Sequence, residues 1–342
     1  MSTVPGVSVL IATRNRIAWL QECIESVREQ TYSDLEIVVS DDGSDDGSVE
    51  FVRATATQDP RIRLLTDNPR PGVFENFSHL LAHATGDAVC FIGDDDVLGP
   101  SFVEKLLGGL TERRAGVAYC MFDVIDGAGA QRPSQTARLD AFHEYQVTPP
   151  GLQVDPAMSA LRGQLWLGGC LYRTKLVREL GFDPRAGSAA DFDLALRISQ
   201  VSEVWFVKER LWRYRDHHGA ASRAQTAETW TTIADTLERH SFTSVDAEQR
   251  RLALLRTYRV RAAWSEVADA PGRARQILAR YRAEGGRPDS PRHVVTLLVS
   301  CLPSPMRRRA IAAINRRQSA ARGRLEAAEA VVARPDDVPY SG

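Results

Sequence analysis

Short apolar runs alternate with segments of helical periodicity through the first hundred residues, and this alternation restricts the fold more than any other feature of the chain. Residues 7–12 (VSVLIA), 35–40 (LEIVVS) and 87–92 (DAVCFI) are apolar almost throughout, which is typical of strands buried on both faces. Between the first two runs, apolar residues recur every three or four positions over about 16–30, which predicts a helix. Strands that alternate with helices through short connections favour right-handed βαβ units. The predicted fold class is therefore α/β, with a Rossmann-like, mostly parallel sheet and flanking helices.

The alternation continues to about residue 222, with two interruptions. Residues 126–150 are rich in Gly, Pro, Gln and Thr and are predicted to form a long loop or lid, and 210–222 is predicted to be irregular. The remaining predicted helices lie near 46–57, 74–85, 101–113, 155–163, 174–180 and 190–200, and the remaining strands near 62–66, 116–122, 166–173 and 203–208.

A change of pattern near residue 224 predicts a domain boundary. From there onward the pattern is nearly all helical, with few β-branched runs, so we expect an α/β domain over 1–223 and a helical region over 224–333. Residues 334–342 have the composition of a disordered tail. With 342 residues, the chain is long enough for one large domain or two smaller ones.

The composition excludes few functions, but the cysteines indicate the cellular compartment. The formal net charge is −1, so the average charge points to no class of partner. The five cysteines are isolated and odd in number, which favours reduced thiols in a cytoplasmic protein over disulfides or a zinc site. No signal peptide is recognisable, and the longest apolar run, 294–302, is half of the roughly 18 residues that a membrane span needs.

Polar sequences follow three successive predicted strands. They are TRNR at 13–16, DDGSDDGS at 41–48 and GDDDV at 93–97. Because ligands of open α/β sheets bind beyond the carboxyl ends of the strands, we expect these segments to share one edge of the sheet. The DDGS alone is equally explained as a turn followed by a helix N-cap.

The three adjacent aspartates 94–96 are the most unusual of these sequences. Neighbouring carboxylates repel unless a cation neutralises them, and carboxylate oxygens suit Mg²⁺ or Mn²⁺. A short acidic cluster supplies one or two ligands, and substrate phosphates supply others, which points to a metal-bound diphosphate. The alternative is a solvated acidic loop. There is no P-loop sequence and no GxGxxG, so a P-loop NTPase and a dinucleotide-binding domain are not supported.

The sequence resembles the family 2 glycosyltransferases of the GT-A fold. The resemblance covers roughly residues 5–222 and is specific in 5–105, from VSVLIATRNR through QTY and DDGS to the acidic cluster. It implies a nucleotide-sugar half over 1–105, an acceptor half over 106–223, and a metal-dependent, inverting transfer from a UDP- or dTDP-type sugar. The GT-A domain would then carry the helical region as a C-terminal extension.

The resemblance also implies roles for individual residues of this chain. Residues expected along the nucleotide-sugar donor are Ala12, Thr13, Arg14, Asp42, Asn68, Gly72, Asn76 and Asp94. The expected ligands of Mn²⁺ or Mg²⁺ are Asp95, Asp96 and His217, with Asp95 the foremost among them. Relatives often begin their acidic motif one residue earlier, where this chain has Gly93, so the sequence leaves open which two aspartates act.

The acceptor half resembles the family over 166–199, where the acid before DLALR is the general base. Asp191 holds that position, and Asp193 is the less favoured alternative because a helix would turn it to another face. Asp191 is also compatible with a simple helix N-cap. The segment RYRDHHGAAS (213–222) resembles the family's closing segment, in which a histidine contacts the metal or diphosphate, and counting back from Gly219 favours His217 over His218. A lone histidine is usually structural, but this pair follows a predicted strand and returns to the active edge, which favours a functional role. Trp166 and Trp212 suit either sugar stacking or the core.

Partners follow from the same reasoning. We expect a nucleotide-sugar donor and a carbohydrate, lipid-linked or small-molecule acceptor, with no nucleic acid, since no basic and aromatic surface is evident. The apolar 294–302 followed by seven arginines within 303–324 is compatible with peripheral contact of 294–324 with an anionic membrane, at its cytoplasmic face, or with a packed helix whose basic face is solvated. The helical region is also compatible with a homodimer.

Two other functions remain open from the sequence. A nucleotidyltransferase acting on a sugar phosphate also uses carboxylates and Mg²⁺ on an α/β sheet, but it would usually have a Gly-rich basic loop after the first strand. A catalytically inactive nucleotide- or glycan-binding module is the non-enzymatic alternative. Cell-surface glycan and secondary-metabolite synthesis both suit the expected enzyme.

Overall fold

The computed structural model describes residues 6–66, 72–113, 115–218, 226–283 and 291–317. The chain divides into two compact units. The first comprises Met1–Ala224 and Asp235–Ala253, and the second comprises Gln225–Ala234 and Leu254–Gly342.

The first unit is built on a nine-stranded sheet. The strand order is β3-β2-β1-β4-β8-β6-β9-β5, and β7 pairs with β9. The strands are β1 (Val7–Thr13), β2 (Leu35–Asp41), β3 (Ile62–Leu65), β4 (Ala88–Gly93), β5 (Val97–Leu98), β6 (Val117–Asp126), β7 (Gly151–Leu152), β8 (Cys170–Arg173) and β9 (Val204–Asp216).

Parallel pairing dominates the sheet. The pairs β1 with β2, β1 with β4, β2 with β3 and β6 with β9 are parallel and carry the long ladders. The antiparallel pairs are each two or three residues long. The predicted α/β class with a mostly parallel sheet is therefore confirmed.

Helices cover the sheet as the apolar periodicity requires. On the first helix, Leu20, Ile24 and Val27 are buried, which places the predicted apolar stripe against the sheet. The helices of this unit are α1 (Ile17–Arg28), α2 (Ser48–Ala56), α3 (Val73–His83), α4 (Phe102–Arg113), α5 (Pro133–Phe142), α6 (Pro156–Leu161), α7 (Thr174–Leu180) and α8 (Ala190–Val201), with 3₁₀ turns at Leu167–Gly169 and Pro184–Ala189.

The two predicted irregular segments are partly wrong. The supposed loop over 126–150 contains α5, which begins at Pro133, a residue well suited to the first position of a helix. Likewise, 210–216 continues β9, which is flanked by β6 and β5 so that its backbone groups find partners on both sides. The arginines in this stretch interrupt the apolar and polar alternation that would predict a strand, because Arg210 is ion-paired and Arg215 is buried.

The helical C-terminal part is present, with α9 (Ala227–Arg239), α10 (Val245–Glu266), α11 (Pro271–Ala283), α12 (Pro291–Ser300) and α13 over 304–317. The second unit has its own apolar core. One cluster joins Val260 of α10 to Leu278 of α11, and another joins Val267 and Val299 to Ile311 of α13. Within the described residues, every helix is too short or too polar to cross a bilayer. The predicted tail 334–342 lies outside the described residues.

The turn between α2 and β3 yields a prediction about pH dependence. Hydrogen bonds from Arg61, together with one from Arg28, lower the pKa of the buried Asp59 to about 2. Because this value is below that of the unfolded chain, the stabilisation is present above about pH 4 and is lost as pH falls toward 2. We expect Asp59→Asn to lower the free energy of unfolding at pH 7 by about 1 kcal/mol, and by less at about pH 2.5, inside the window where the stabilisation is lost.

Urea denaturation at the two pH values measures this difference. Asp246→Asn, at an exposed position, is the matched control and should change neither value. An equal effect of Asp59→Asn at both pH values would contradict the assignment.

Candidate active site

The ends of β2, β1 and β4 bring the three polar segments to one edge of the sheet. In the parallel register, Ala12 lies opposite Ser40 on one side and Gly93 on the other. Thr13 lies opposite Asp41, at the last position of both strands. The segments that follow these strands are thereby neighbours, as the sheet topology predicts.

The first two segments are tied together by side chains. The backbone N–H of Asn15 donates to Ser44 Oγ at 2.8 Å, and Asn15 Oδ1 accepts from the N–H of Asp45 at 2.8 Å. Asn15 has a φ of 52°, a left-handed conformation that asparagine tolerates better than most residues. Asp46 Oδ2 accepts from the N–H of Ile17, which fixes the start of α1. These bonds hold the loop that carries Arg14 and its neighbours.

Asp41 and Asp42 differ in orientation. Asp41 Oδ2 accepts from the N–H groups of Gly43 and Ser44 at 2.9 Å, while its Oδ1 is buried without a hydrogen-bond partner among the described residues. The Asp42 carboxylate is partly exposed and lies 3.5 Å from Arg14 Nη1. The adjacent Asp41, which sequence reasoning treated only as part of a turn, thus contributes a second carboxylate at this edge.

Asp94 is buried and fully engaged with the end of β1. Its Oδ2 accepts from Thr13 Oγ1 at 2.8 Å and from the N–H of Arg14 at 3.3 Å, and its Oδ1 accepts from Arg16 Nη1 at 3.0 Å. Burial raises the pKa of Asp94 to about 6, against the opposing effect of the Arg16 guanidinium. This carboxylate therefore ties β4 to the loop after β1.

Asp95 faces a different set of groups. Its Oδ2 accepts from Arg16 Nη1 at 2.9 Å and lies 2.9 Å from His217 Nε2. The structure therefore brings together two of the three expected metal ligands. Within the described ranges, no group of three or more His, Cys, Asp or Glu side chains is arranged to hold a metal ion. Any cation at this position would take its remaining ligands from substrate or water.

Asp96 points into the protein. Its Oδ2 accepts from Trp212 Nε1 at 3.1 Å, and its Oδ1 accepts from the N–H of Arg215 at 2.9 Å. Burial, followed by the nearby charge of Asp95, raises the pKa of Asp96. The expectation that Asp96 binds metal therefore finds no support in its geometry, because both oxygens are occupied by protein donors.

Arg215 is a buried cation behind the acidic turn. Its guanidinium donates from Nε to the carbonyl of Asp95 at 2.6 Å, from Nη2 to Glu22 Oε2 at 2.5 Å, and from Nη1 to the carbonyls of Asp126 and Gly127 at 3.3 and 3.4 Å. The side chain is fully buried. Three separate segments of the chain thus converge on one guanidinium.

Trp19 forms one wall of the same site. Its ring lies 4.3 Å from the His217 ring, and the Arg16 and Arg215 guanidinium carbons lie 5.9 and 5.8 Å from its centroid. The indole N–H donates to the carbonyl of Gly127 at 3.0 Å, which fixes the ring. The indole thereby packs against the histidine whose Nε2 contacts Asp95. His218, by contrast, is exposed.

The expected donor residues of the 68–76 segment are only partly described. Asn68 lies outside the described residues. Gly72 has a φ of 141° at the start of α3, a backbone conformation that residues with a side chain rarely adopt, so glycine is favoured there. Asn76 is buried and donates from Nδ2 to the carbonyl of Ser40 at 3.3 Å. Asn76 thus supports the end of β2.

Asp191 and Asp193 are separated by the helix as predicted. Asp191 lies in the first turn of α8, whose N-cap is Ala189, so the N-cap alternative for Asp191 is wrong. Burial raises the pKa of Asp191. Burial alone would also raise the pKa of Asp193, but hydrogen bonds from His240 at 3.0 Å and Arg197 at 2.6 Å lower it. Asp193 is thereby committed to structural partners.

The two tryptophans of the acceptor half have different settings. Trp212 is buried and bonded to Asp96, which assigns it to the core. Trp166 is half-buried and packs against Phe122 and Tyr214 with ring centroids 5.4 and 5.5 Å away. Of the two, Trp166 is the one with ring surface left for a ligand.

Comparison with known proteins identifies the family. A family model described as Glycosyl transferase family 2 matches residues 8–166. The putative glycosyltransferase EpsE of Bacillus subtilis is 31% identical over 231 residues, which cover 65% of this chain and 77% of EpsE. The chain belongs to glycosyl transferase family 2. The chain spans 34% to 61% of the length of four further curated relatives, which are glycosyltransferases by name.

Solved structures show that this family 2 chain has the GT-A fold. TarS of S. aureus (residues 1–349, in complex with UDP-GlcNAc) superposes with a TM-score of 0.61 at 16% identity, over 85% of this chain and 90% of TarS. The mannosyltransferase PcManGT of Pyrobaculum calidifontis, solved with GDP-Man and Mn²⁺, superposes with a TM-score of 0.56 at 18% identity, over 92% and 87%.

Sequence reasoning missed four residues that the structure places in or beside the candidate site, namely Arg16, Trp19, Asp41 and Arg215. Arg16 and Asp41 lie within the motifs TRNR and DDGS, so their place in these motifs could have indicated that they belong to the site. For Trp19 and Arg215, only the contacts between α1 and β9, which are about two hundred residues apart in sequence, show their role.

Because several segments of the chain bond to Arg215, its removal should lower the free energy of unfolding. Arg215→Met would leave the Asp95 and Asp126 carbonyls and the Glu22 carboxylate without this donor, and we expect a loss on the order of 3 kcal/mol in the free energy of unfolding. Arg215→Lys can satisfy fewer of these acceptors than arginine, so its free energy of unfolding should lie between those of the wild type and Arg215→Met. The exposed Arg213 on the same strand is the matched control, and Arg213→Met should change stability by less than about 0.5 kcal/mol. Urea denaturation measures all three, and equal losses for the two methionine variants would contradict this role.

Proposed function

We propose that the α/β domain predicted over residues 1–223 catalyses an inverting sugar transfer from a nucleoside-diphosphate sugar to a hydroxyl acceptor, with Mn²⁺ or Mg²⁺. The observation that carries the proposal is the pairing of Asp95 with His217 at 2.9 Å, at the strand ends where the loops after β1 and β2 meet. An accessible carboxylate and an imidazole beside a set of loop N–H groups suit a cation that holds a diphosphate.

The donor atoms present fit such a cation. In octahedral coordination at about 2.1 Å, two adjacent ligand atoms lie about 3.0 Å apart. Asp95 Oδ2 and His217 Nε2 are separated by 2.9 Å, so together they match one edge of that octahedron. The cation would supply charge stabilisation for the departing diphosphate. Asp96 is left out of the proposed ligand set because its oxygens face inward.

The nucleotide would lie along the ends of β1 and β2. Thr13 ends β1 and Arg14 follows it, and the partly exposed Asp42 carboxylate can accept a hydrogen bond from a base N–H, which favours a uracil or thymine donor. Arg14 lies beside Asp42 with an exposed guanidinium that can stack on the base. The TarS structure was solved with UDP-GlcNAc, and PcManGT with GDP-Man, so both donor types have precedent on this fold.

Asp191 would take the proton from the acceptor hydroxyl as that oxygen attacks the anomeric carbon. Burial raises the pKa of Asp191, which makes its carboxylate a stronger base than an exposed aspartate. One displacement with one base inverts the anomeric centre. The half-buried Trp166 offers an apolar ring face for the acceptor sugar.

The base assignment predicts unequal effects for two neighbouring aspartates. Asp191→Asn should lower the transfer rate at least about 100-fold with little change in donor affinity, because only proton acceptance is lost. The matched control Asp193→Asn should weaken the bonds with Arg197 and His240 and lower stability by about 2 kcal/mol, with a transfer rate near that of the wild type. Single-turnover rates and donor binding separate the two, and full turnover by Asp191→Asn would show that another group is the base.

The proposed reaction itself is tested with a panel of UDP-, dTDP- and GDP-sugars and Mn²⁺. Thermal stabilisation by one donor, followed by release of its nucleoside diphosphate, is the expected result, because a ligand that binds only the folded state raises its stability. Release of pyrophosphate from a nucleoside triphosphate and a sugar phosphate would instead identify a nucleotidyltransferase. Stabilisation without turnover over a range of acceptors would indicate a binding module.

We further propose that α12 and α13 form a peripheral contact with an anionic membrane. Val294, Leu298 and Met306 are exposed apolar residues in this segment. Exposed arginines accompany them on α13, at positions 308, 309, 316 and 317. Apolar side chains beside a basic face are typical of helices that lie in the interface of an anionic bilayer. Such a contact would bring the enzyme to lipid-linked acceptors.

Co-sedimentation with vesicles tests the membrane contact. We expect binding to vesicles of phosphatidylglycerol and phosphatidylcholine that is lost with phosphatidylcholine alone. Leu298→Asp should weaken it several-fold, whereas Val201→Asp should not, since Val201 is equally exposed at 63% but lies on α8. Equal binding to both vesicle types, or an equal effect of the two variants, would contradict the proposal.

A further inference from the structure

The Arg16 guanidinium stands where a cation at Asp95 would have to be. A single nitrogen, Nη1, lies 3.0 Å from Asp94 Oδ1 and 2.9 Å from Asp95 Oδ2. The same Asp95 oxygen lies 2.9 Å from His217 Nε2. The oxygen that fits a metal ligand is therefore already shared by two protein groups, one of which is permanently charged.

A divalent ion and this guanidinium cannot share the oxygen without strong repulsion. An ion bound at about 2.1 Å from Asp95 Oδ2 would lie no more than about 5 Å from Arg16 Nη1, since that nitrogen is 2.9 Å from the same oxygen, in a partly buried site where screening by water is weak. Each group neutralises the same pair of carboxylates. Occupancy by one therefore disfavours occupancy by the other.

Part of the Arg16 side chain is open to solvent. It is 31% exposed, so the head group has room to turn away from the carboxylates while the backbone stays in place. The guanidinium presents several N–H donors in a planar fork, the geometry that suits phosphate oxygens. Its backbone is anchored at the start of α1, on the same loop as the proposed donor residues.

We propose that Arg16 exchanges ligands during donor binding: it neutralises Asp94 and Asp95 when the site holds no cation, and it passes to the donor's diphosphate when the metal arrives. The inference rests on the proposed function, since it requires a metal-diphosphate donor. Arg16 would then contact the diphosphate of the bound donor, and it would oppose metal binding when no donor is present. Metal alone must displace the guanidinium into water, whereas metal with a diphosphate offers the guanidinium a new anion.

The exchange makes metal and nucleotide binding cooperative. By linkage, a nucleoside diphosphate strengthens Mn²⁺ binding by the same factor by which Mn²⁺ strengthens nucleotide binding. Removing the guanidinium should reduce this cooperativity factor through two separate effects. The carboxylates would bind Mn²⁺ more tightly in the absence of nucleotide, and the diphosphate would lose one cationic ligand.

The test compares Arg16→Met with Arg28→Met. Arg28 lies at the end of the same helix, is 28% exposed and pairs with Glu25 and Asp59, so its variant matches the loss of charge and exposure outside the site. Free Mn²⁺ is counted by electron paramagnetic resonance, with and without UDP or GDP, at equal ionic strength. No acceptor or turnover is needed.

We expect Arg16→Met to bind Mn²⁺ alone about 5-fold more tightly than the wild type or more, and to bind the nucleotide in the presence of Mn²⁺ about 5-fold more weakly or worse. Arg28→Met should match the wild type in both. If Arg16→Met is insoluble, Arg16→Gln carries the same expectation.

Two outcomes overturn the exchange. Unchanged or weaker Mn²⁺ binding by Arg16→Met shows that the guanidinium does not oppose the metal, and unchanged nucleotide binding shows that it does not reach the diphosphate. Failure of the proposed function would look different. In that case no variant, the wild type included, would bind Mn²⁺ with or without a nucleotide.

Discussion

Repulsion among the carboxylates of residues 94–96 is the constraint on which the site depends, and the fold counters it by turning each side chain toward a different donor. Asp94 faces Thr13 and Arg16, Asp95 faces Arg16 and His217, and Asp96 faces Trp212. The three charges are thereby distributed among three separate environments. Only the middle carboxylate is left with neighbours that suit an exchangeable cation.

Two arginines supply positive charge to this turn in different ways. Arg215 is fully buried and bonds to carbonyls of the turn and of the loop after β6, so it belongs to the permanent framework. Arg16 is partly exposed and bonds to the carboxylates themselves. A buried guanidinium can only fix the geometry of the turn, whereas a partly exposed one can leave its carboxylate partners when a ligand binds. Trp19 lies against both guanidinium groups and against His217, and so links the fixed part of the site to the movable part.

The acceptor half shows how packing separates residues that are close in sequence. Asp191 and Asp193 differ by two positions on one helix, which turns them to different faces. Hydrogen bonds from Arg197 and His240 hold Asp193 as a charged structural group, while burial raises the pKa of Asp191. His240 stands 47 positions beyond Asp193, so the sequence around DLALR carries no sign of this contact. The same holds for Asp96, whose partners in β9 lie more than 115 positions away.

The sequence by itself determined the α/β class, the meeting of three strand ends at one edge and the family, because apolar periodicity and turn residues are local properties and the family motifs are contiguous. It placed α1 and its buried stripe correctly but took 126–150 for a loop, since a helix that begins at Pro133 has a weak apolar pattern. It also ended the last strand too early, because the arginines of β9 conceal it. Only the tertiary structure decided which aspartate faces the solvent side, which faces the core, and which cation stands beside them. Those choices depend on contacts between α1, β4 and β9, and the direction of a side chain in a turn is set by such distant partners rather than by its neighbours in sequence.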